Sequence, residues 1–301
     1  MIQKLTHYTD SILTQEMARM DLEGGRVKVV WFTNHQNKQS VVHSHPYYEL
    51  IIPITGSNVL YSYSGSLMTL HPGEMILFPA ERYHSGKYDI SDDISERMVV
   101  QIDASIWDAA MRRTGLDNPT WPRDVIVLDA DDVSSWDLRG LFERMAQSPY
   151  LKKAYQDTIL VCELTELQLL IQQSVDSHRT QSSSTTSTLV AKAVEYLETH
   201  YTDPELTTAA VAQYTYSSRE HLSRAFKEYT MESIHNYLTN LRMQHCRRGI
   251  AAGLSVLDAC TESGFSNYSS FLKSFRRLYG LTPADYKKQL RAVQQRKEIA
   301  Q

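Results

Sequence analysis

The sequence predicts an α+β chain of two domains: an N-terminal β-barrel or sandwich completed by helices, and a C-terminal all-α domain with two helix-turn-helix units. Three observations carry that reading. Residues 26–105 are short β-type runs broken by turn residues, the apolar period turns helical from about residue 134, and a turn-plus-helix pattern occurs twice beyond residue 188. At 301 residues the chain is also too long for one ordinary core and suits two.

The β region contains "RVKVVWFTNH", "YYELIIPITG", "NVLYSYSG", "SLMTLHPGEMILFP" and "RMVVQIDA", rich in Val, Ile, Tyr and Leu and punctuated by Gly, Pro and Asn. Many short strands in succession close into a sandwich or barrel. "SSWDLRGLFERMAQS" then reads as a short helix. A longer helix follows, because Leu160, Leu164, Leu167 and Ile171 recur at offsets of four, three and four. "HRTQSSSTTST", residues 178–188, has no apolar anchor and reads as a flexible linker. The domains are therefore 1–177 and 189–301, with 178–188 between them.

Composition narrows the classes. The apolar and charged fractions are those of a soluble globular protein, which excludes wholesale disorder. "MIQKLTHYTD" lacks a signal pattern and no apolar run is long enough to span a bilayer, so no membrane is expected. Cys162, Cys246 and Cys260 are widely spaced without a CxxC pair, which suits the reducing cytoplasm. Residues 1–188 carry 16 basic and 24 acidic side chains, whereas residues 189–301 carry 15 and 11. The front half should stay off nucleic acid, and the back half is free to approach phosphates. A solvated surface explains the same charge, so motifs must decide.

The basic half repeats at an offset of about forty-nine residues. In "SREHLSRAFKEYTMESIHNYL" and "NYSSFLKSFRRLYGLTPADYK", Leu222, Phe226 and Tyr229 match Phe271, Phe275 and Leu278. Arg224 matches Lys273, and Tyr237 matches Tyr286. The apolar residues lie at i, i+4 and i+7 on one helix face, with the basic residue on the other. A short helix and tight turn precede each copy, and Gly264 suits such a turn because it tolerates positive φ. Ser266, and Ser217 or Ser218, are expected N-caps, with a capping box from Ser217 to Glu220. "SIHNYLTNLRMQHCRRGIAA" is long enough to be a rigid connecting helix. Two such units could enter successive major grooves roughly 34 Å apart. The alternative is a helical bundle whose basic side chains merely face water.

Residues 189–288 resemble the DNA-binding domain of the arabinose-regulator (AraC/XylS) family. The resemblance rests on "HLSRAFKEYTMESIHNYLTNLRM" and on "ESGFSNYSSFLKSFRRLYGLTPADYKK". It departs at Tyr216 and Met231, where the family favours glycine, or asparagine at the first, and at Cys260, where it favours alanine. The resemblance implies base reading from the exposed faces holding Glu220, Ser223 and Arg224 in the first unit, and Asn267, Tyr268, Ser269 and Lys273 in the second. Arg224 would chelate guanine, Glu220 accept from cytosine and Asn267 pair with adenine. Arg219, Arg276 and Arg277 are expected on phosphates.

In "HSHPYYELIIPITG", His43, His45 and Glu49 are spaced to share one strand face. "HPGEMILFPAERYH" adds His84. The two stretches resemble the paired motifs of the cupin β-barrel, which make these four residues a ligand set competent for zinc, iron, manganese or nickel. Glu81 departs from that pattern, where metal-binding cupins often have glycine. Three readings stay open: a metal-dependent cupin enzyme with an appended helical domain, a sensor barrel with or without a divalent metal, and histidines that only fix strand register. The resemblance to the arabinose-regulator family, in which a cupin barrel ahead of this DNA-binding domain is the common sensor layout, implies the sensor, with no catalytic residue assigned. Trp31, Tyr47, Tyr61 and Tyr63 lie beside the histidines and join His43, His45, Glu49 and His84 as expected effector contacts, a lining that suits a sugar or another polyol.

The expected function is a sequence-specific transcriptional regulator controlled by a small-molecule effector and needing no cofactor. Its expected partners are double-stranded DNA, a second copy through the 150–175 helix, and RNA polymerase.

Overall fold

A computed structural model describes residues 3–6, 26–34, 38–88, 94–115, 122, 124–177 and 184–299. Its strands are β1 (Gln3–Thr6), β2 (Val27–Asn34), β3 (Lys38–Gln39), β4 (Tyr47–Thr55), β5 (Val59–Tyr63), β6 (Ser66–Leu70), β7 (Met75–Phe78), β8 (His84–Tyr88), β9 (Ser95–Asp103), β10 (Ile126–Leu128) and β11 (Ser184–Thr186). They form two sheets, ordered β1-β2-β9-β4-β7-β10 and β11-β6-β5-β8-β3.

Period-two alternation gives the larger sheet two different faces. Leu50 and Ile52 of β4, and Met98, Val100 and Ile102 of β9, point outward into a cluster with helical residues. Ile51 and Val99 point the other way, into the barrel interior with Tyr61, Phe78 and Tyr88. The outer face is covered by α1 (Ala104–Thr114), α2 (Ala130–Ser135), α3 (Leu138–Met145) and α4 (Lys153–Ser177). Asp103 caps α1 through the Ser105 amide, and Gly115 closes it at φ +69°. Leu160, Leu164, Leu167 and Ile171 of α4 are buried in this outer cluster, as their spacing predicts.

The C-terminal domain contains α5 (Thr188–His200), α6 (Thr208–Tyr214), α7 (Arg219–Thr230), α8 (Ile234–Ala251), α9 (Val256–Glu262), α10 (Tyr268–Tyr279) and α11 (Pro283–Ile299). Two cores, one per helix-turn-helix unit, are organised around Leu222 and Phe226 and around Phe271 and Phe275. The third expected apolar position is only half-buried in each copy. Thr230 and Tyr279, one residue further along, are the buried ones. Helix α8 has 18 residues and so spans about 27 Å.

Three local expectations change. The linker predicted at 178–188 is not free along its whole length, since Ser184–Thr186 pair antiparallel with β6 and Ser187 caps α5. A run of small polar residues still carries a full set of backbone donors and acceptors, and the β6 edge accepts them. Residues 178–183 lie outside the described residues. In the helix-turn-helix units the caps are Ser218 and Asn267, each accepting from the amide three residues on. The capping box from Ser217 to Glu220 is therefore absent, and Glu220 faces solvent.

The repeat also explains a strained residue. Helix α7 is closed by Met231 at φ +62°, and α10 is closed forty-nine residues later by Gly280 at φ +72°. A side chain at positive φ is disfavoured by roughly 1–2 kcal/mol, and glycine avoids the clash. Met231→Gly is expected to stabilise the chain by about 1 kcal/mol in denaturant unfolding. Unchanged or lower stability would show that the Met231 side chain offsets the strain.

Candidate ligand site and nucleic-acid interface

Residues 38–45 run along the open edge of the smaller sheet. His43 exchanges two backbone hydrogen bonds with His84, N to O and O to N, both at 2.9 Å. In an antiparallel pair the flanking residues turn their N–H and C=O groups the opposite way. Val42 and Ser44 therefore present backbone groups outward, while His43 and His45 send their rings inward.

Inside, four side chains converge. The ligand atoms of His43, His45, Glu49 and His84 all lie within 4.8 Å of one another, and all four residues are buried. Each imidazole is anchored by Nδ1 to a backbone carbonyl: His43 to Val41 at 2.8 Å, His45 to Tyr47 at 2.9 Å and His84 to Arg82 at 3.0 Å. A carbonyl only accepts, so each Nδ1 carries a proton and each ring turns its Nε2 toward the centre. Glu49 Oε2 stands 3.2 Å from His84 Nε2 and 3.5 Å from His45 Nε2. Gln101 donates to the other carboxylate oxygen at 2.8 Å and fixes its orientation.

The electrostatics favour electron-pair donors. Burial, reinforced by the neighbouring His84 and His45, lowers His43 to about 3, and burial also lowers His84. Burial alone would raise Glu49, but its interactions with His45 and His84 reverse that and keep it ionised. Lone pairs meeting a carboxylate repel unless a cation sits between them. This donor set fits a divalent transition metal, and the polar atom of His45 directed there, Nε2, has no hydrogen-bond partner.

The predicted aromatic contacts divide. Tyr47 stacks on His45 with ring centroids 3.9 Å apart. Tyr61 and Tyr63 lie in the barrel interior beside Phe78, which stacks on His84 at 4.1 Å. Trp31 does not join them. Alternation along β2 turns it to the outer face, where it donates to Glu96 and lies under Arg139. Phe78 was missed because an apolar residue on an apolar strand carries no polar signal.

On its outer side the same edge strand meets the C-terminal domain. Gln244 of α8 accepts from the Ser44 amide at 2.6 Å and donates to the Val42 carbonyl at 2.8 Å. Glu232 accepts from the Val42 amide at 2.7 Å and from Asn240 at 2.9 Å. The Val42 side chain enters the core of the first helix-turn-helix unit. Arg248 adds Glu81 at 2.6 Å and the Tyr83 hydroxyl at 3.0 Å. Glu81 sits at φ +61°, so the departure from glycine noted there introduces strain and supplies an ion pair across the junction. A cavity of about 20 Å³, roughly one water, lies at the junction beside His43, Asn240, Gln244 and Tyr279. The available sequence signal was polar Asn240, Gln244 and Arg248, four apart, on a helix with apolar neighbours.

Every residue assigned to DNA is exposed: Arg219, Glu220, Ser223 and Arg224 on α7, Tyr268, Ser269, Lys273, Arg276 and Arg277 on α10, and Asn267 at its cap. Asn267 needs correction. Its amide oxygen already accepts from the Ser270 amide at 2.8 Å, so a two-pronged adenine contact is not open to it while it caps. Arg276 and Arg277 sit in the last turn of α10, where they also complement the helix dipole.

A family model described as an AraC-like ligand binding domain matches residues 29–184, and one described as a helix-turn-helix domain matches residues 211–289. An uncharacterised HTH-type transcriptional regulator of Staphylococcus aureus strain COL is 25% identical over 147 residues, 46% of this chain and 20% of that protein. The regulatory protein PocR of Salmonella typhimurium is 29% identical over 120 residues, 40% of this chain and 39% of PocR. The chain thus spans about a fifth of the length of the first relative and well under half of the second. A crystal structure of an apo ToxT variant from Vibrio cholerae covers 89% of this chain and 98% of its own, with 12% identity and a TM-score of 0.43. The C-terminal domain of AraT, a response regulator from Geobacillus stearothermophilus, covers 34% of this chain and 85% of its own, with 25% identity and a TM-score of 0.33.

The junction carries its own titration. Burial raises Glu232 from 4.5 to about 7 despite its bonds from Val42 and Asn240. Its folded value exceeds its unfolded one, so its stabilising contribution is complete below 4.5 and lost as pH rises through 7. Glu198, also raised to about 7 by burial, acts in the same direction, so a comparison at fixed Glu198 isolates Glu232. Between about pH 5 and 8, wild type should lose melting temperature relative to Glu232→Gln. Parallel curves would exclude Glu232 as the titrating group.

Proposed function

The chain belongs to the AraC family, and on that footing we propose that it is a sequence-specific DNA-binding transcriptional regulator controlled by a small-molecule effector held in its N-terminal barrel. One observation carries the reading: the strand that places His43 and His45 in the barrel is the strand bound by Gln244, on the helix connecting the two helix-turn-helix units, and by Glu232, in the turn just before that helix. An occupant that moves the histidines by a fraction of an ångström also moves Val42 and Ser44, and with them α8. Coupling of this kind needs differential contacts in two states, and the junction offers a discrete set to make or break.

The barrel reading includes a divalent transition metal on His43, His45, Glu49 and His84, with Gln101 holding Glu49. When bound, such an ion supplies positive charge where the three lone pairs and the carboxylate meet. The protein's part is to lock each tautomer through a backbone carbonyl and to keep the site dry. Catalysis is not part of the proposal, since the relatives that match are regulators.

Dimerisation is proposed through α4. While one stripe of this helix is buried on the barrel, Tyr155, Ile159, Cys162 and Leu169 line the outside at helical spacing, with Tyr150 and Leu151 just before it. A second copy would cover them and bring four recognition helices to two half-sites. Among the described residues no helix is long and apolar enough to cross a membrane. The cytoplasm, where DNA is accessible, is the proposed location.

Two experiments test this. Arg224→Glu combined with Lys273→Glu reverses both exposed recognition faces and should lower affinity for a selected operator on the order of 100-fold in a band-shift assay. Circular dichroism should stay unchanged, and full affinity in a folded double variant would remove α7 and α10 as the reading surface. In zinc competition with a chromophoric chelator, Glu49→Gln should weaken binding by more than the roughly 10–100-fold typical of losing an outer-sphere partner. Equal affinity of variant and wild type would remove the quartet as the metal site.

A further inference from the structure

The barrel interior has a second polar end that the histidine quartet does not use. Arg97 of β9 lies on the inward face with Val99 and Gln101 and is only 3% exposed. Its guanidinium is held between two rings, 4.6 Å from the centroid of Phe32 and 4.2 Å from that of Tyr88. Among the described residues neither Nε nor Nη1 has a hydrogen-bond partner, and no carboxylate pairs with the group. Arginine cannot relieve this by losing its proton. An uncompensated charge in such surroundings is strongly penalised, and none of the described residues supplies an anion to it.

We propose that Arg97 is the anion-binding end of the effector pocket and takes the carboxylate of a small organic monoacid. The lining sets the rest of the ligand. A continuous aromatic wall leads from Arg97 to the quartet: Tyr88 meets Tyr61 at 6.0 Å, Tyr61 meets Phe78 at 5.4 Å and Phe78 stacks on His84. The polar groups along it are the Tyr61 and Tyr88 hydroxyls, 3.1 Å apart. Tyr61 feels both Arg97 and Glu49, so the two ends belong to one interior. A single carboxylate brings the Arg97 end to neutrality. A doubly charged phosphate or sulfate would leave net charge against Phe32 and Tyr88, and a neutral sugar would leave the guanidinium uncompensated. The ligand class thus moves from the polyol expected from the tyrosines to an acid with an apolar body.

The inference rests on the barrel being the sensor, yet it is read without DNA. The test is the melting temperature of the full chain with benzoate and hexanoate, with benzamide and hexanamide, and with sulfate, each in wild type, Arg97→Met and Arg97→Lys. At least one acid should raise the wild-type value while its amide and sulfate do not. Arg97→Met, which fills similar volume without charge, should melt at or above ligand-free wild type and lose the response to acid. Arg97→Lys keeps the charge without the planar guanidinium, so it should fold and respond more weakly. The proposal is overturned if ligand-free Arg97→Met melts below wild type, which would make Arg97 a structural cation. It is equally overturned if acid and amide act alike, if sulfate matches the acids, if the response survives in Arg97→Met, or if neither acid shifts wild type. Operator binding by the same wild-type preparation without acid reports separately on the DNA-binding function, so failure of either assay leaves the other interpretable.

Discussion

The structure depends on how one edge strand satisfies its backbone. Residues 41–45 pair with β8 on one side only, through His43 and His84, so the outward N–H and C=O groups of Val42 and Ser44 have no strand to meet. Exposed sheet edges are usually blunted or covered. Here the cover is the amide of Gln244 and the carboxylate of Glu232, both from the DNA-binding domain. A typical hydrogen bond contributes about 1 kcal/mol net, but leaving a buried partner unmade costs about 1–3 kcal/mol. The junction is therefore specific and breakable.

The barrel interior holds two sets of polar groups, the histidine quartet and Arg97, along one buried cluster. At one end three imidazoles and the Glu49 carboxylate converge; at the other, Nε and Nη1 of Arg97 have no hydrogen-bond partner among the described residues. They do not neutralise each other, because Phe78, Tyr61 and Tyr88 stand between them. A core built only for stability would pair such groups or omit them. The histidine end abuts the junction through His43, whose neighbours Val42 and Ser44 are bound by Glu232 and Gln244.

Much of this was legible in the sequence, and the reasons differ by element. The barrel strands and the helix repeat were readable because alternation and a forty-nine-residue offset are properties of one segment at a time. The His43, His45, Glu49 and His84 set was readable because its spacing places the groups on inward strand faces. Trp31 was misplaced by one step of alternation, which neighbouring aromatics do not reveal. The pairing of Ser184–Thr186 with β6 is carried by backbone groups that composition does not display. Gln244 and Arg97 were missed although each leaves a trace, a polar residue on an otherwise apolar face, and Glu232 was missed because it lies in a turn. For Gln244 such a trace does not say that the partner lies some two hundred residues away.

The claim that barrel and DNA-binding domain communicate through Val42 and Ser44 is tested most directly by linkage. Operator affinity is measured with and without saturating zinc in wild type and in Gln244→Met, which removes both amide bonds at similar volume. Zinc should change wild-type affinity by roughly 5–150-fold, the range of ordinary allosteric coupling, and the ratio should fall close to one in Gln244→Met. The same ratio in both proteins would contradict the account, because the signal would then bypass the strand.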